Sequence, residues 1–355
     1  MQSAPCTMRP ADSSRRQRLG NVGADLFFLH CNINGNALSW QLHRLLLILP
    51  MIVRSSLSWF RLLFVWHGSV LPRILPRLLL VLLIAVLAAA ARHWWLSSFG
   101  DSALSIPTFT LLGVSLAIFL GFRNSVSYER FWEARKLWGG LLIVNRSIAR
   151  SLLAAVPRHP LTAQTADLLC AFVYALKAQL RHEHDCEHLL RLLPASMLDE
   201  VQAARFPPAI ILRHLGALIQ QMQREGCISE LQWQALDRKL DTMSEILGGC
   251  ERIDTTPIPY TYRVLLNRTV TIYSLLLPMG LVSSIGWLTP PIAVFIAYTY
   301  LALEVIGEEL EEPFGREGND LPLAALCYTI ESAVREMQGL PMLVEAPKPE
   351  GVYLH

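Results

Sequence analysis

The sequence predicts an all-α, polytopic membrane protein with four transmembrane helices and a helical cytosolic domain. Three observations carry that prediction. Long apolar runs hold no charged residue, Lys and Arg gather at one end of each run, and the intervening segments repeat apolar residues at helical rather than strand spacing. The composition agrees, with 52 % of the 355 residues hydrophobic and 17 % charged, at a mean hydropathy of +0.35. Soluble domains are nearer 25 % charged. A net charge of +2 is too small to point to nucleic acid as a partner.

The elements follow in order. Residues 1–50 are polar and irregular up to about Ala37, with Arg15, Arg16 and Arg18 clustered. The apolar stretch Leu45–Val53 lies too far from the start for a signal peptide, and no small-residue cleavage site follows it. The segment 1–50 is expected to be a disordered extension, with Met51 as the native start.

The first span is placed at about 74–95. Its fourteen uncharged residues between Arg77 and Arg92 are few, but the two arginines can snorkel, and Trp94 and Trp95 supply an interfacial belt. The second span, about 103–122, lies between Asp101 and Arg123, which enclose 21 uncharged positions. The next apolar region, Thr269 to Leu303, runs 35 residues without a charge. One helix of that length would extend about 52 Å, against a hydrocarbon core of about 30 Å. Gly286-Trp287-Leu288-Thr289-Pro290-Pro291 interrupts it, so two spans at about 265–285 and 290–306 are predicted.

Arg54, Arg61, Arg73 and Arg77 precede the first span, and Arg123, Arg130, Arg135 and Lys136 follow the second. Arg252, Arg263 and Arg268 precede the third, whereas the first-to-second loop has only Arg92 and the third-to-fourth loop has none. The positive-inside rule therefore puts both termini and the middle segment, 123–262, in the cytoplasm.

Within that segment Ser229-x-x-Gln232 is a capping box, followed by Trp233, Leu236, Leu240, Met243 and Leu247 on one helix face, with Gly248-Gly249 expected to end the helix. Pro207-Pro208 opens another helix, whose apolar side carries Ile210, Ile211, Leu215, Leu218, Ile219 and Met222. Seven cysteines, with no C-x-x-C pair, read as reduced structural thiols.

Chemistry-bearing clusters are few. His182, His184, Cys186 and His188 alternate with acidic residues, but alternate positions do not share a helix face, so a solvated connection is expected there. No metal ligands and no cofactor are assigned. Glu308, Glu309, Glu311 and Glu312 read as a solvated or ion-paired helix end. No nucleophile-elbow, phosphate-loop, zinc-protease or dinucleotide motif occurs, and an enzyme is not expected. In the second span Gly113, Ala117 and Gly121 form a small-residue ridge suited to close packing. Beside it Val114, Ile118 and Phe122 form a ridge of larger apolar groups. In a ring of such helices the second ridge could line a throat that gates by dewetting; lipid-facing and packing roles are the alternative.

The stretch Phe109–Asn124, then Tyr128-Glu129-Arg130-Phe131-Trp132-Glu133-Ala134-Arg135, resembles the bacterial bestrophins. So do Trp66-His67-Gly68-Ser69-Val70, Gly248-Gly249-Cys250-Glu251-Arg252, Thr255-Thr256-Pro257-Ile258-Pro259 and Glu308-Glu309-Leu310-Glu311-Glu312-Pro313-Phe314-Gly315. The resemblance implies a bestrophin-like channel domain over 51–340, with 341–355 as a C-terminal tail. It implies a homopentameric ion channel in the cell inner membrane with one central pore. The permeant species would be small monovalent ions: the family is named for chloride, and bacterial members can favour cations. It also implies a pore neck at Val114, Ile118 and Phe122, and a cytosolic aperture at Leu231. Animal members bind calcium through an acidic run after Pro-Phe-Gly. Here that run reads Arg316-Glu317-Gly318-Asn319-Asp320, so calcium gating is not expected. A membrane-anchored helical scaffold or sensor without conduction is the alternative to the channel.

Overall fold

The computed structural model describes residues 60, 69–93, 97, 106–183 and 185–341. The expectations for 1–50, for Met51, for Trp94 and Trp95 and for the tail after residue 341 lie outside the described residues.

The described residues form α1 (Leu71–Ala90), α2 (Ile106–Ala155), α3 (Pro160–Leu180), α4 (Cys186–Leu192) and α5 (Ala195–Ala203). After these come α6 (Pro207–Arg224), α7 (Glu230–Thr255), α8 (Tyr260–Ile285), a single 3₁₀ turn (Gly286–Leu288), α9 (Thr289–Glu311) and α10 (Leu323–Gln338). No strand occurs among the described residues. The all-α expectation holds.

Helix α2 organises the rest. Its 50 residues extend about 75 Å at 1.5 Å per residue, more than twice the hydrocarbon thickness. No proline lies between Pro107 and Pro157 to stop it. The second predicted span and the start of the segment predicted to be cytosolic are therefore one continuous helical rod. Its buried face, Phe109, Gly113, Leu116, Leu120, Arg123, Ser127, Phe131, Ala134, Trp138 and Leu141, recurs at three- and four-residue steps.

That face serves separate apolar cores. Leu116 and Leu120 pack with Ile74, Leu78 and Val81 of α1, Leu266 and Val270 of α8, and Ala297, Leu301 and Val305 of α9. Phe109 sits with Ala85, Leu277 and Ala293. Farther along, Phe131, Trp138, Leu141, Ile148 and Leu152 join the body formed with α3, α4, α6, α7 and α10.

Three described segments are long and apolar enough to cross a membrane: Leu71–Ala90, Pro107–Ala155 and Tyr260–Glu311. The last is bent back on itself. Gly286 adopts a φ of +55°, open to glycine at little cost, and Pro290 and Pro291 occupy the first turn of α9, where no amide partner is lost. Asn267 near the start of α8 then reaches Glu304 near the end of α9 at 2.9 Å, which makes the pair antiparallel. Arg92 donates to the Ser283 carbonyl at 2.9 Å beside this turn. Leu79, Leu80, Leu83 and Leu87 of α1, Leu111 and Phe119 of α2, Ile272 of α8 and Phe295 of α9 are exposed, an apolar belt that water would not favour and lipid does.

In the body, Ser229 and Gln232 form the predicted reciprocal capping box, at 2.9 and 3.3 Å. The predicted apolar face of α6 is buried at Ile211, Leu215, Leu218, Ile219 and Met222. One expectation fails. Helix α7 does not end at Gly248-Gly249 but runs on to Thr255. A Cβ at Gly249 would stand 2.9 Å from a Leu137 methyl, so the glycine allows α7 to approach α2 rather than capping a helix.

Candidate functional site

Val114, Ile118 and Phe122 lie on successive turns of α2, about 6 Å apart along its axis. All are exposed, at 54, 52 and 64 %, and they face away from the buried side of the rod. The opposite side is anchored to its neighbours. Tyr300 donates to the Gly113 carbonyl at 2.9 Å, Tyr262 to the Phe119 carbonyl at 3.2 Å and Tyr273 to the Phe109 carbonyl at 3.4 Å. These tyrosines on α8 and α9 fix the rotation of α2, and so the direction in which the apolar row points. The Tyr273 and Tyr300 hydroxyls within apolar spans were the available signal in the sequence; the partners, about 140 to 190 positions away, were not.

The small-residue ridge is split. Gly113 is buried beneath Tyr273 and Tyr300, whereas a Cβ at Gly121 would meet nothing within 4 Å and Ala117 is exposed. Within the chain only Gly113 performs the packing predicted for the ridge. Ala117 and Gly121 flank the exposed row instead.

Directly after Phe122 the chain turns polar. Arg123 and Glu311 are both buried, at 0 and 2 % side-chain exposure, and pair at 3.2 Å. Two turns on, Arg130 donates to the carbonyls of Glu311, Thr256 and Ile253 at 3.2, 2.6 and 2.7 Å, satisfying the ends of α7 and α9 at once. Arg77 pairs with Glu304 at 3.1 Å. The end of α9 is thus ion-paired, as the second half of the sequence expectation had it, and the arginines counted for topology supply the partners.

Leu231, on the first turn of α7, is 78 % exposed. It lies on the helical body and not on α2, in the first turn after the Ser229 cap.

The segment after Pro313-Phe314-Gly315 does not suit calcium. The Arg73 guanidinium stands 2.7 Å from Glu317, 3.3 Å from Glu309 and 3.9 Å from Glu308, so a tethered cation occupies the centre of the carboxylates. Arg316 turns away to Glu183. Asp320 accepts the Glu317 amide at 2.6 Å, and burial pushes its carboxyl up to about 7. Few carboxylate oxygens remain for an ion that takes six to eight oxygen ligands.

The His182–His188 stretch is a connection only as far as Asp185, the N-cap of α4, which takes in Cys186 and His188. His182 points to Asp254 at 3.7 Å, while His188 bonds Asp185 at 2.6 Å and stacks on Tyr174 at 4.1 Å between ring centres. His184 and the Cys186 side chain lie outside the described residues. Burial pushes Asp185 upward, but the bonds from His188 and Lys177 prevail and hold it at about 2.

Residues 51–336 match the family model for the bacterial and fungal bestrophin protein. The chain belongs to the bestrophin family. Among curated relatives of this bestrophin, the voltage-dependent anion channel-forming protein of Ralstonia nicotianae is 45 % identical over 297 residues, covering 82 % of this chain and 96 % of the relative. The Escherichia coli K12 protein of the same description is 41 % identical over 287 residues, covering 81 and 94 %. A crystal structure of a bacterial bestrophin homolog from Klebsiella pneumoniae superposes with a TM-score of 0.72 at 42 % identity, covering 76 % of this chain and 99 % of that one.

Proposed function

We propose that the chain is an ion channel subunit whose homopentamer encloses one central pore for passive conduction of small monovalent ions. The observation that carries the reading is the row Val114, Ile118 and Phe122, three large apolar side chains left exposed on a helix whose other face is anchored by Tyr262, Tyr273 and Tyr300. Brought together around an axis, such rows form three stacked apolar rings, a constriction that water leaves readily and ions cross only when it is wetted. Leu231, more exposed still, supplies a second apolar ring at the cytosolic aperture.

In this reading α1, the first half of α2, α8 and α9 are the four spans. The turn at Gly286 faces the outside, and the body, with both termini, lies on the cytoplasmic side of the cell inner membrane. The distribution of Lys and Arg supports this orientation. The names of the relatives support an anion as the permeant ion, while an apolar neck by itself imposes a barrier without choosing a sign. The chemistry is passive. Reconstitution of the purified protein in planar bilayers under a sodium chloride gradient tests the proposal. Single-channel currents are expected, with a reversal potential that reports the sign of the permeant ion. Silence in every salt would favour a membrane-anchored scaffold instead.

A further inference from the structure

The connection between α2 and α3 meets the connection between α6 and α7 at the far end of α2 from the apolar row. There His159, Glu225 and Cys227 place three ligand atoms within 4.8 Å of one another. We propose that these side chains form a binding site for a zinc-class divalent transition metal.

The spacing fits tetrahedral coordination. Zinc binds thiolate sulfur at about 2.3 Å, imidazole nitrogen at about 2.0–2.1 Å and carboxylate oxygen at about 2.0–2.2 Å. The corresponding tetrahedral edges are about 3.6 Å for nitrogen to sulfur and about 3.4 Å for nitrogen to oxygen. Here His159 Nε2 lies 3.6 Å from Cys227 Sγ and 3.8 Å from the nearer Glu225 oxygen. The donor set mixes imidazole, thiolate and carboxylate, which suits borderline-soft zinc and disfavours calcium or magnesium. His159 and Glu225 keep 29 and 42 % of their side-chain surface, so a fourth position is open to water, as in zinc sites with three protein ligands.

Each ligand is set by its backbone. His159 is the N-cap of α3 in extended conformation. Cys227 follows Gly226, whose φ is +73°, and donates its amide to the Met222 carbonyl at 2.9 Å, a helix-ending motif that aims the sulfur back at α3. Gln221 holds the other Glu225 oxygen at 2.7 Å, an outer partner of the kind that orients metal-binding carboxylates. Among the cysteines whose side chains are described, Cys170, Cys250 and Cys327 are buried, and Cys227 is the accessible thiol.

Protons balance simply. His159 Nδ1 accepts the Leu161 amide at 3.3 Å, so the neutral ring carries its proton on Nε2. Ligation through Nε2 moves that proton to Nδ1 and gives up the Leu161 bond. The thiol proton is released to solvent, one per ion.

Cobalt(II) titration of the purified full chain is the test, with zinc as competitor. The expected result is one cobalt per subunit, with a thiolate-to-cobalt charge-transfer absorption that zinc abolishes. Cys227→Ser is expected to remove the absorption. His159→Asn, which keeps an N-cap acceptor and so preserves the start of α3, is expected to weaken binding at least tenfold. Equal spectra and affinities in wild type and both variants would overturn the site. This readout is independent of conduction, so it stands or falls separately from the channel reading. Leu231 follows Cys227 by four residues, and on that reading an ion here stiffens the turn bearing the aperture. Zinc-sensitive currents that lose their sensitivity in His159→Asn would support that link, and zinc-insensitive currents from a zinc-binding wild type would overturn the link alone.

Discussion

The buried pair Arg123–Glu311 joins the end of the apolar row to the end of α9, and neutralising Glu311 should be costly. At an effective dielectric of about 20, unit charges 3.2 Å apart attract by about 5 kcal/mol. Both side chains have lost nearly all contact with water, so little of their hydration survives to compensate. Removing one partner of such a pair typically costs about 3–5 kcal/mol, because the other charge stays buried and unpaired. Glu311→Gln keeps the shape and one acceptor and removes only the charge. At about 2–4 °C per kcal/mol, a fall of about 6–20 °C in the melting temperature is expected, read by size-exclusion chromatography of heated, detergent-solubilised protein. Arg123→Met in the same chain should recover part of that loss, since no buried charge then remains without a partner. If Glu311→Gln melts with the wild type, or if the two substitutions add without coupling, the pair does not hold α2 to α9 and the reasoning fails.

Other outcomes follow from the same structure. Replacing both Ile118 and Phe122 with Ala should widen and wet the neck and raise conductance or open probability in planar bilayers; unchanged currents from an intact assembly would remove both residues from the gate. Currents should be the same with and without a strong calcium chelator, because Arg73 already occupies the carboxylate cluster, and a large reversible loss would mean ligands elsewhere. A chain beginning at Met51 should assemble and conduct like the full-length one, and loss of the oligomer by native mass spectrometry would assign 1–50 a structural role. Asp320 titrates at about 7 when folded and near 3.9 when unfolded. The folded state therefore binds more protons between those values, and its stability from this group falls as pH rises from about 4 to 7. Asp320→Asn should flatten that part of a melting-temperature profile, and an unaltered slope would contradict the assignment.

Much of the fold was legible because its signals are local. The apolar runs of α1, α2, α8 and α9, the turn at Gly286, the Ser229–Gln232 cap and the buried face of α6 each depend on residues within a few turns of one another. Periodicity and capping chemistry report such neighbours directly. The exposed row was legible in the same way, since Val114, Ile118 and Phe122 share one face through the period of a single helix; its reading as a neck came from the family resemblance. Gly248-Gly249 was misread for the complementary reason. A glycine pair ends a helix or admits a neighbour with equal local plausibility, and only the position of Leu137 decides between them.

By itself, then, the sequence determined the helical class, the apolar runs long enough to cross a membrane and which face of α2 carries large apolar groups, all consequences of short-range order. Only the tertiary structure decided that Arg123 meets Glu311 across 188 positions, that three tyrosines set the rotation of α2, that Arg73 fills the acidic pocket after Pro313, and that His159 comes within 3.6 Å of Cys227 across 68. Partners so distant leave no periodic trace along the chain, because their spacing follows from how the helices pack against one another and not from the 3.6-residue turn of any one of them.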